Sequence, residues 1–331
     1  MHKLMIPLKP SATTRNSQAG FTLIELMVAL VLGLLISAAA LQLFFNSSNN
    51  LRIQEGADDV QDAVVFSLSY VQKEIAMANL GAYQPMTQDS AWTGIILTAS
   101  NDHPTEVVAG TGNKRQIGNL RGVKGITADH LTKTVSTSDS STVKAKGGAA
   151  LMSDQLTIQY RAPFAMSDCE GRNIDKDTMV VERFFTRKDT TGGSNDIVLA
   201  CDSGTYELAG DVSPSQVAKD SYVLTGMGTK STVLVNRVDY FKIKLGIQAK
   251  DGLIYLTPAE YMTLKDSAYK YKAPIVAVQI GVLTRGTDPI SGEAQTDFNV
   301  LGTDVEMVDT NKKYVRRVYE STIRLRNGLT R

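Results

Sequence analysis

Cysteine and histidine are scarce in this 331-residue chain: two of the first, Cys169 and Cys201, and three of the second, His2, His103 and His130. No CxxC pair occurs and neither cysteine has a histidine nearby in sequence, so nothing resembles a thiolate–imidazole metal site. Net charge is small as well, +1 overall. Residues 1–20 carry Lys3, Lys9 and Arg15 and no acid, which leaves about −2 for the rest and argues against a general nucleic-acid binder.

Signatures of catalysis are missing too. Gly226-Met227-Gly228-Thr229-Lys230-Ser231 lacks the glycine before the lysine, and the glycine upstream, that a phosphate-cradling loop needs. Gly110-Thr111-Gly112 has no third glycine in register and reads as a turn. Gly192-Gly193-Ser194-Asn195 lacks the second flanking glycine of a nucleophile elbow. The acids of Asp175–Asp177 and Asp288–Glu293 do not follow a calcium-loop pattern. His103 and His130 have no partner visible in the sequence and read as loop or surface residues. An enzyme is left without support and no cofactor is implied. With 43% hydrophobic and 21% charged residues, the bulk of the chain is nonetheless ordinary globular protein.

Charge is most conspicuously absent between Phe21 and Phe45, where Glu25 is the single ionisable side chain and no proline interrupts. As a helix this run is roughly 38 Å long at ~1.5 Å per residue, enough to cross a hydrocarbon core of about 30 Å. A cleavable secretory signal is the competing reading, with Ser37-Ala38-Ala39-Ala40 as an imitation of its cleavage site. The basic leader places the N-terminus in the cytoplasm and the bulk outside. A carboxylate at mid-membrane costs ~2.5–3.5 kcal/mol on insertion scales, and Glu25 sits near the cytoplasmic end, where the cost is smaller. If the chain is cut after Gly20, Phe21 becomes a charged amine that a neighbouring copy can present to Glu25. A helix N-terminus also favours negative charge. A tolerated interfacial glutamate is the plainer alternative.

Gly20 followed by Phe21-Thr22-Leu23-Ile24-Glu25 resembles the class III signal of type IV pilins and type II secretion pseudopilins. The resemblance implies cleavage after Gly20 by a prepilin peptidase, N-methylation of Phe21, and a role for Glu25 in guiding the subunit into a filament.

Beyond Asn46–Asn50 the spacing of Ile53, Ala57, Val60, Val64, Leu68, Val71, Ile75 and Ala78 predicts that the helix continues with one apolar stripe. Gly81, with Pro85 beyond, is its expected stop. Four segments follow: a leader over 1–20, a transmembrane half-helix over 21–45, an amphipathic half-helix over 46–81, and an extracytoplasmic head over 82–331.

The head reads as strands: Gly94–Leu97, Asp154–Tyr160 with period-two alternation, Met179–Phe185, Ile197–Ala200, Val233–Leu245, Ile275–Leu283 and Val315–Leu325. Thr132–Ala150, rich in Ser, Thr, Lys and Gly, is expected to be a solvated loop. Thr257-Pro258-Ala259-Glu260 carries the capping-box start of a short helix, and Ser213-Pro214-Ser215-Gln216 repeats the pattern. The expected class is α+β, a long N-terminal helix packed on an antiparallel sheet head. Outside the cytoplasm, Cys169 and Cys201 are expected to pair, with two free thiols as the alternative.

In the last strand Val315, Tyr319, Ile323 and Leu325 share one side, and Arg316, Glu320, Thr322, Arg324 and Arg326 the other, with Arg317 and Val318 out of pattern. The basic side is expected to be solvated or to guard an edge; contact with DNA phosphates is the lesser reading. The segment Arg317–Asn327 also resembles the C-terminal strand of PilW-type minor pilins, as do Ser153–Tyr160, Asp168-Cys169 and the return at Cys201. That resemblance implies a minor pilin that primes type IV pilus assembly and sits at the tip. Its implied partners are the PilV, PilX and FimU families, the major pilin and a PilY-type adhesin, with roles in twitching, attachment or DNA uptake. It further implies residence in the inner membrane before assembly and in the surface pilus after it. A type II secretion pseudopilin of the GspJ kind is the nearest alternative; a membrane-anchored periplasmic enzyme or binding protein is the alternative of another class.

Overall fold

The computed structural model describes residues 20–82, 85–87, 89–98, 105–107, 114–116, 118–125, 127–135, 140–189, 196–208, 221–228, 231–249, 252–264, 273–290, 293–309 and 313–326. The leader before Gly20, His103, the glycine turns at Gly110 and Gly192, and the helix start at Ser213 lie outside the described residues. The chain divides into two compact units, Met1–Leu51 and Arg52–Arg331. Helix α1 (Leu23–Ile75) contributes residues to both.

In the first unit the large apolar side chains from Phe21 to Phe45 are all exposed. Among the described residues α1 is the one helix long and apolar enough to cross a membrane. Its backbone satisfies itself, as a span in lipid requires, and Ser37 donates its hydroxyl back to the Gly33 carbonyl at 2.8 Å.

In the second unit the sequence stripe becomes a core face. Val64, Leu68, Val71, Ile75 and Ala78 are buried together against the sheets. The side chain of Val60 lies outside the described residues. The α-helix ends at Ile75, six residues before the expected stop at Gly81. Tight turns finish it: Met77 N–H bonds the Glu74 carbonyl and Ala78 N–H the Ile75 carbonyl. Asn79 then donates its N–H to Gln159, and the Leu80 carbonyl accepts from Arg161. The next backbone groups are thus captured by a strand. Gly81 has φ +76°, and a Cβ there would lie 2.8 Å from that of Arg161, so glycine is required by both conformation and space.

Ten longer strands organise the head: β1 (Asp154–Arg161), β2 (Met179–Lys188), β3 (Ile197–Tyr206), β4 (Thr232–Val235), β5 (Val238–Ala249), β6 (Gly252–Leu256), β7 (Ile275–Pro289), β8 (Asp297–Val300), β9 (Thr303–Met307) and β10 (Tyr314–Arg324). One sheet runs β4-β3-β2-β1 and ends on Lys133–Thr134; a second runs β6-β5-β7-β10; a third joins β8-β9 to Val143–Ala145. The pairing within these three sheets is antiparallel. A helix followed by antiparallel sheets makes the class α+β, as expected. The run Val233–Leu245 is two strands, broken where Arg237 adopts φ 52°.

Two expectations fail instructively. Thr132–Ala150 is not simply a solvated loop. Val143–Ala145 pairs with β9, and Val143 enters a second core with Tyr240, Leu283, Phe298, Val300, Val305 and Met307. Ser140 is buried, its carbonyl accepting from the Ser153 hydroxyl at 2.7 Å and from Thr186 at 2.8 Å. The period-two alternation of β1 also does not separate core from water, since Asp154–Tyr160 is buried throughout. Leu156, Ile158 and Tyr160 face the main core. Gln155, Thr157 and Gln159 are covered by polar chain instead. Gln155 donates to the Asp129 carbonyl, Thr157 to the His130 carbonyl, and Gln159 to the carbonyls of Thr93 and Asn119.

Candidate functional site

The N-terminal motif forms a small closed unit. Thr22 caps α1, and its carbonyl already accepts the Leu26 N–H at 3.3 Å. Glu25 folds back over it: Oε2 accepts the backbone N–H of Thr22 and its hydroxyl, each at 2.9 Å, while Glu25 N–H donates to Thr22 Oγ1 at 3.4 Å. This is a capping box, with a hydroxyl residue at the cap and glutamate three residues on. Phe21, just before it, projects outward and is 87% exposed. Sequence reasoning named Gly20, Phe21 and Glu25 and passed over Thr22. The T-x-x-E signal was the one recognised at Thr257–Glu260, where the same reciprocal bonds form at 2.7, 2.9 and 3.2 Å.

The cysteines come together. Cys169 and Cys201 form a disulfide with their Cα atoms 6.2 Å apart. Asp168, buried beside it, organises the turn. Its carboxylate accepts the N–H groups of Glu170 and Arg172, the Arg172 guanidinium at 2.9 Å and the Ser203 hydroxyl at 2.6 Å. Arg172 also donates to the Ser203 carbonyl. The disulfide loop is therefore tied to β3 by charge-assisted bonds as well as by sulfur.

The remaining sequence candidates resolve into structure. The P-loop near miss turns Gly228 N–H toward Asp202, whose carboxylate accepts it at 2.9 Å; Thr229 and Lys230 lie outside the described residues. Asp202 is already bound by Arg183 at 2.9 Å, so that backbone donor is occupied by the protein's own carboxylate. His130 accepts the Thr127 N–H on Nδ1 at 3.2 Å; burial, then the Arg183 charge, holds its pKa below the usual imidazole value. Asp175–Asp177 make no shared site: among the described residues no group of three His, Cys, Asp or Glu side chains is placed to hold a metal.

The basic side of the last strand is corrected in part. Thr322, Arg324 and Arg326 are exposed, as expected of a solvated face. Arg316 is not: its side chain is 6% exposed and its Nε lies 2.7 Å from Asp239 Oδ2. Val318, out of pattern in the sequence, packs against the second core. The reason is the β8–β9 hairpin, whose Val300 and Leu301 lie over Gly281 of β7 and whose Leu301 N–H donates to Glu320. Arg316 and Val318 are thus covered, whereas Glu320, Thr322, Arg324 and Arg326 stay exposed.

Comparison with known proteins matches both ends of the chain. Residues 15–41 match the prokaryotic N-terminal methylation motif, and residues 205–327, from the end of β3 through β10, match the family described as Type IV Pilus-assembly protein W. No curated protein matches the chain. Among solved structures, the type IV-like pilin TTHA1219 from Thermus thermophilus is similar at 7% identity, over 82% of this chain and 98% of that one, with a TM-score of 0.36. The chain thus carries an N-terminal methylation motif at one end and, at the other, a region similar to the type IV pilus-assembly protein W family.

Proposed function

We propose that this subunit primes type IV pilus assembly and is retained in a complex at the pilus tip. The observation that carries the reading is the double use of α1. Between Phe21 and Phe45 it exposes every large apolar side chain, while from Val64 to Ile75 the same helix is a core element of the head. Such a helix needs apolar surroundings outside this chain, first lipid and then neighbouring helices.

In this reading residues 1–20 are removed on the cytoplasmic side after Gly20 and the new amine of Phe21 is methylated. Glu25 then meets the terminal amine of a neighbouring subunit. The capping box supports this sequence of events, because it supplies Glu25 with two donors within its own chain. The carboxylate can wait in the membrane partly satisfied until the amine arrives. Partners are other minor pilins of the PilV, PilX and FimU families, the major pilin and a PilY-type adhesin; twitching, attachment and DNA uptake are the processes served. The subunit's role is structural.

The test is genetic and chemical together. Loss of the prepilin peptidase leaves the leader on the chain, and Glu25→Ala keeps the processed subunit in the membrane fraction, whereas Glu25→Asp still reaches sheared pili. Normal incorporation of Glu25→Ala, or a leader indifferent to the peptidase, overturns the reading.

A further inference from the structure

Two glutamates are sealed into the head where α1 ends. Glu182 lies on the face of β2 that carries Val180 and Phe184 into the main core. It is in register between Ile158 of β1 and Ser203 of β3 and has no solvent exposure. Its Oε1 accepts the Tyr160 hydroxyl at 3.2 Å and the Cys169 N–H at 2.9 Å; its Oε2 has no partner among the described residues. Glu74, in the last turn of α1, is 4% exposed. The Tyr70 hydroxyl bonds it, and its Oε2 is likewise unpartnered.

The surrounding groups do not neutralise this pair. Lys73 and Tyr70 belong to α1 itself, and Tyr160 comes from β1. Asp168, from the disulfide loop, adds a third carboxylate whose own cation is Arg172. Among the described residues neither glutamate forms an ion pair. A buried carboxylate without a cation is unfavourable and keeps its proton instead. Burial, with the Glu74 charge next, pushes Glu182 up to about 8, and burial also raises Glu74.

We propose that Glu74 and Glu182 form a proton-held joint, in which a retained proton lets the last turn of α1 close against the strand and disulfide loop, and loss of that proton loosens this corner of the head. Protonation of Glu182 removes an uncompensated charge from this buried site. Between the ordinary carboxyl value of 4.5 and about 8 the native state binds more protons than the unfolded chain. Stability is therefore greatest below that window and falls as pH rises through it. The Cys169 N–H, which Glu182 accepts, links the proton to the disulfide loop.

Hydrogen exchange of the full-length protein in detergent micelles tests this, corrected for intrinsic exchange, between about pH 6 and pH 9. Protection of the segments holding Glu74 and Cys169 is expected to fall by roughly a hundredfold in the native protein and to stay flat in Glu182→Gln. Carbon NMR of the glutamate carboxyls is expected to show one midpoint near 8, which moves down in Glu74→Gln because the neighbouring charge is gone. An ordinary midpoint for every glutamate, or the same loss of protection in Glu182→Gln, overturns the joint. Should Glu182→Gln fail to fold, the carboxyl titration of native protein and Glu74→Gln decides alone.

Discussion

The Glu25 carboxylate closes onto Thr22, taking both the backbone N–H and the hydroxyl of that residue on a single oxygen at 2.9 Å. The box thus engages one of the two carboxylate oxygens. Only the hydroxyl can be removed by mutation, which gives a graded test. Thr22→Ser keeps the cap, and Thr22→Ala costs about 1 kcal/mol of helix-end stability. In immunoblots of sheared pili Thr22→Ala is expected to fall between native protein and Glu25→Ala, and Thr22→Ser to match native. Equal incorporation of the alanine and serine variants would remove the cap from the assembly pathway.

The disulfide spans 32 residues of chain and joins the Asp168 turn to β3. Closing a loop of that size stabilises by ~3–4 kcal/mol in the chain-entropy account. Paired replacement of Cys169 and Cys201 by alanine is expected to lower the denaturant midpoint with little change of slope, since the Asp168–Arg172–Ser203 bonds remain. A large fall in slope would show that the loop opens more of the head than this turn.

Much of the architecture was legible because it rests on periodicity. Val64, Leu68, Val71 and Ile75 follow helical spacing and are buried as a stripe; Asp154–Tyr160, Met179–Phe185 and Ile275–Leu283 read as strands and are strands. What escaped depends on partners far away in sequence. Val143 is one apolar residue in a polar stretch, and only pairing with β9 makes it core. Gln155, Thr157 and Gln159 look like an outer face until carbonyls of residues 93–131 cover them. Arg316 looks solvated until Asp239, 77 residues away, is folded beside it. At the N-terminus the signal is local: Thr22 and Glu25 form a T-x-x-E capping box at the very start of an apolar run.

Thr257 offers a control for the capping argument away from any membrane. Its box holds the Glu260 carboxyl below the usual value, the Thr257 backbone N–H acting first and its hydroxyl second. A lowered carboxyl contributes stability above its ordinary value of 4.5 that is lost as pH falls through the depressed one. Thr257→Ala is expected to cost about 1 kcal/mol. NMR titration of Glu260 should show its midpoint rising toward the ordinary value in that variant; an unmoved midpoint rejects the cap as its cause.

The most consequential charge in the head is Asp239. In the β7–β10 ladder Arg285 and Arg316 stand directly opposite each other, an arrangement that repels. Asp239 occupies the bulge between Val238 and Tyr240 of β5, which adds a residue to that strand and re-aims its side chain. From there one carboxylate reaches both cations, Arg316 Nε at 2.7 Å and Arg285 Nε at 3.5 Å, and accepts the Thr142 hydroxyl at 2.8 Å. Arg285 also stacks 4.3 Å over the Tyr314 ring and pairs with Asp196. Removing Asp239 leaves Arg316 buried without a counter-charge, whereas Arg285 keeps Asp196. Asp239→Ala is therefore expected to destabilise the head by ~3–5 kcal/mol, the cost of one uncompensated buried ion. Arg316→Met in the same background should recover much of that loss by removing the stranded charge. Equilibrium unfolding of the single and double variants measures both, and an additive pair of losses would mean that the contact carries no coupling.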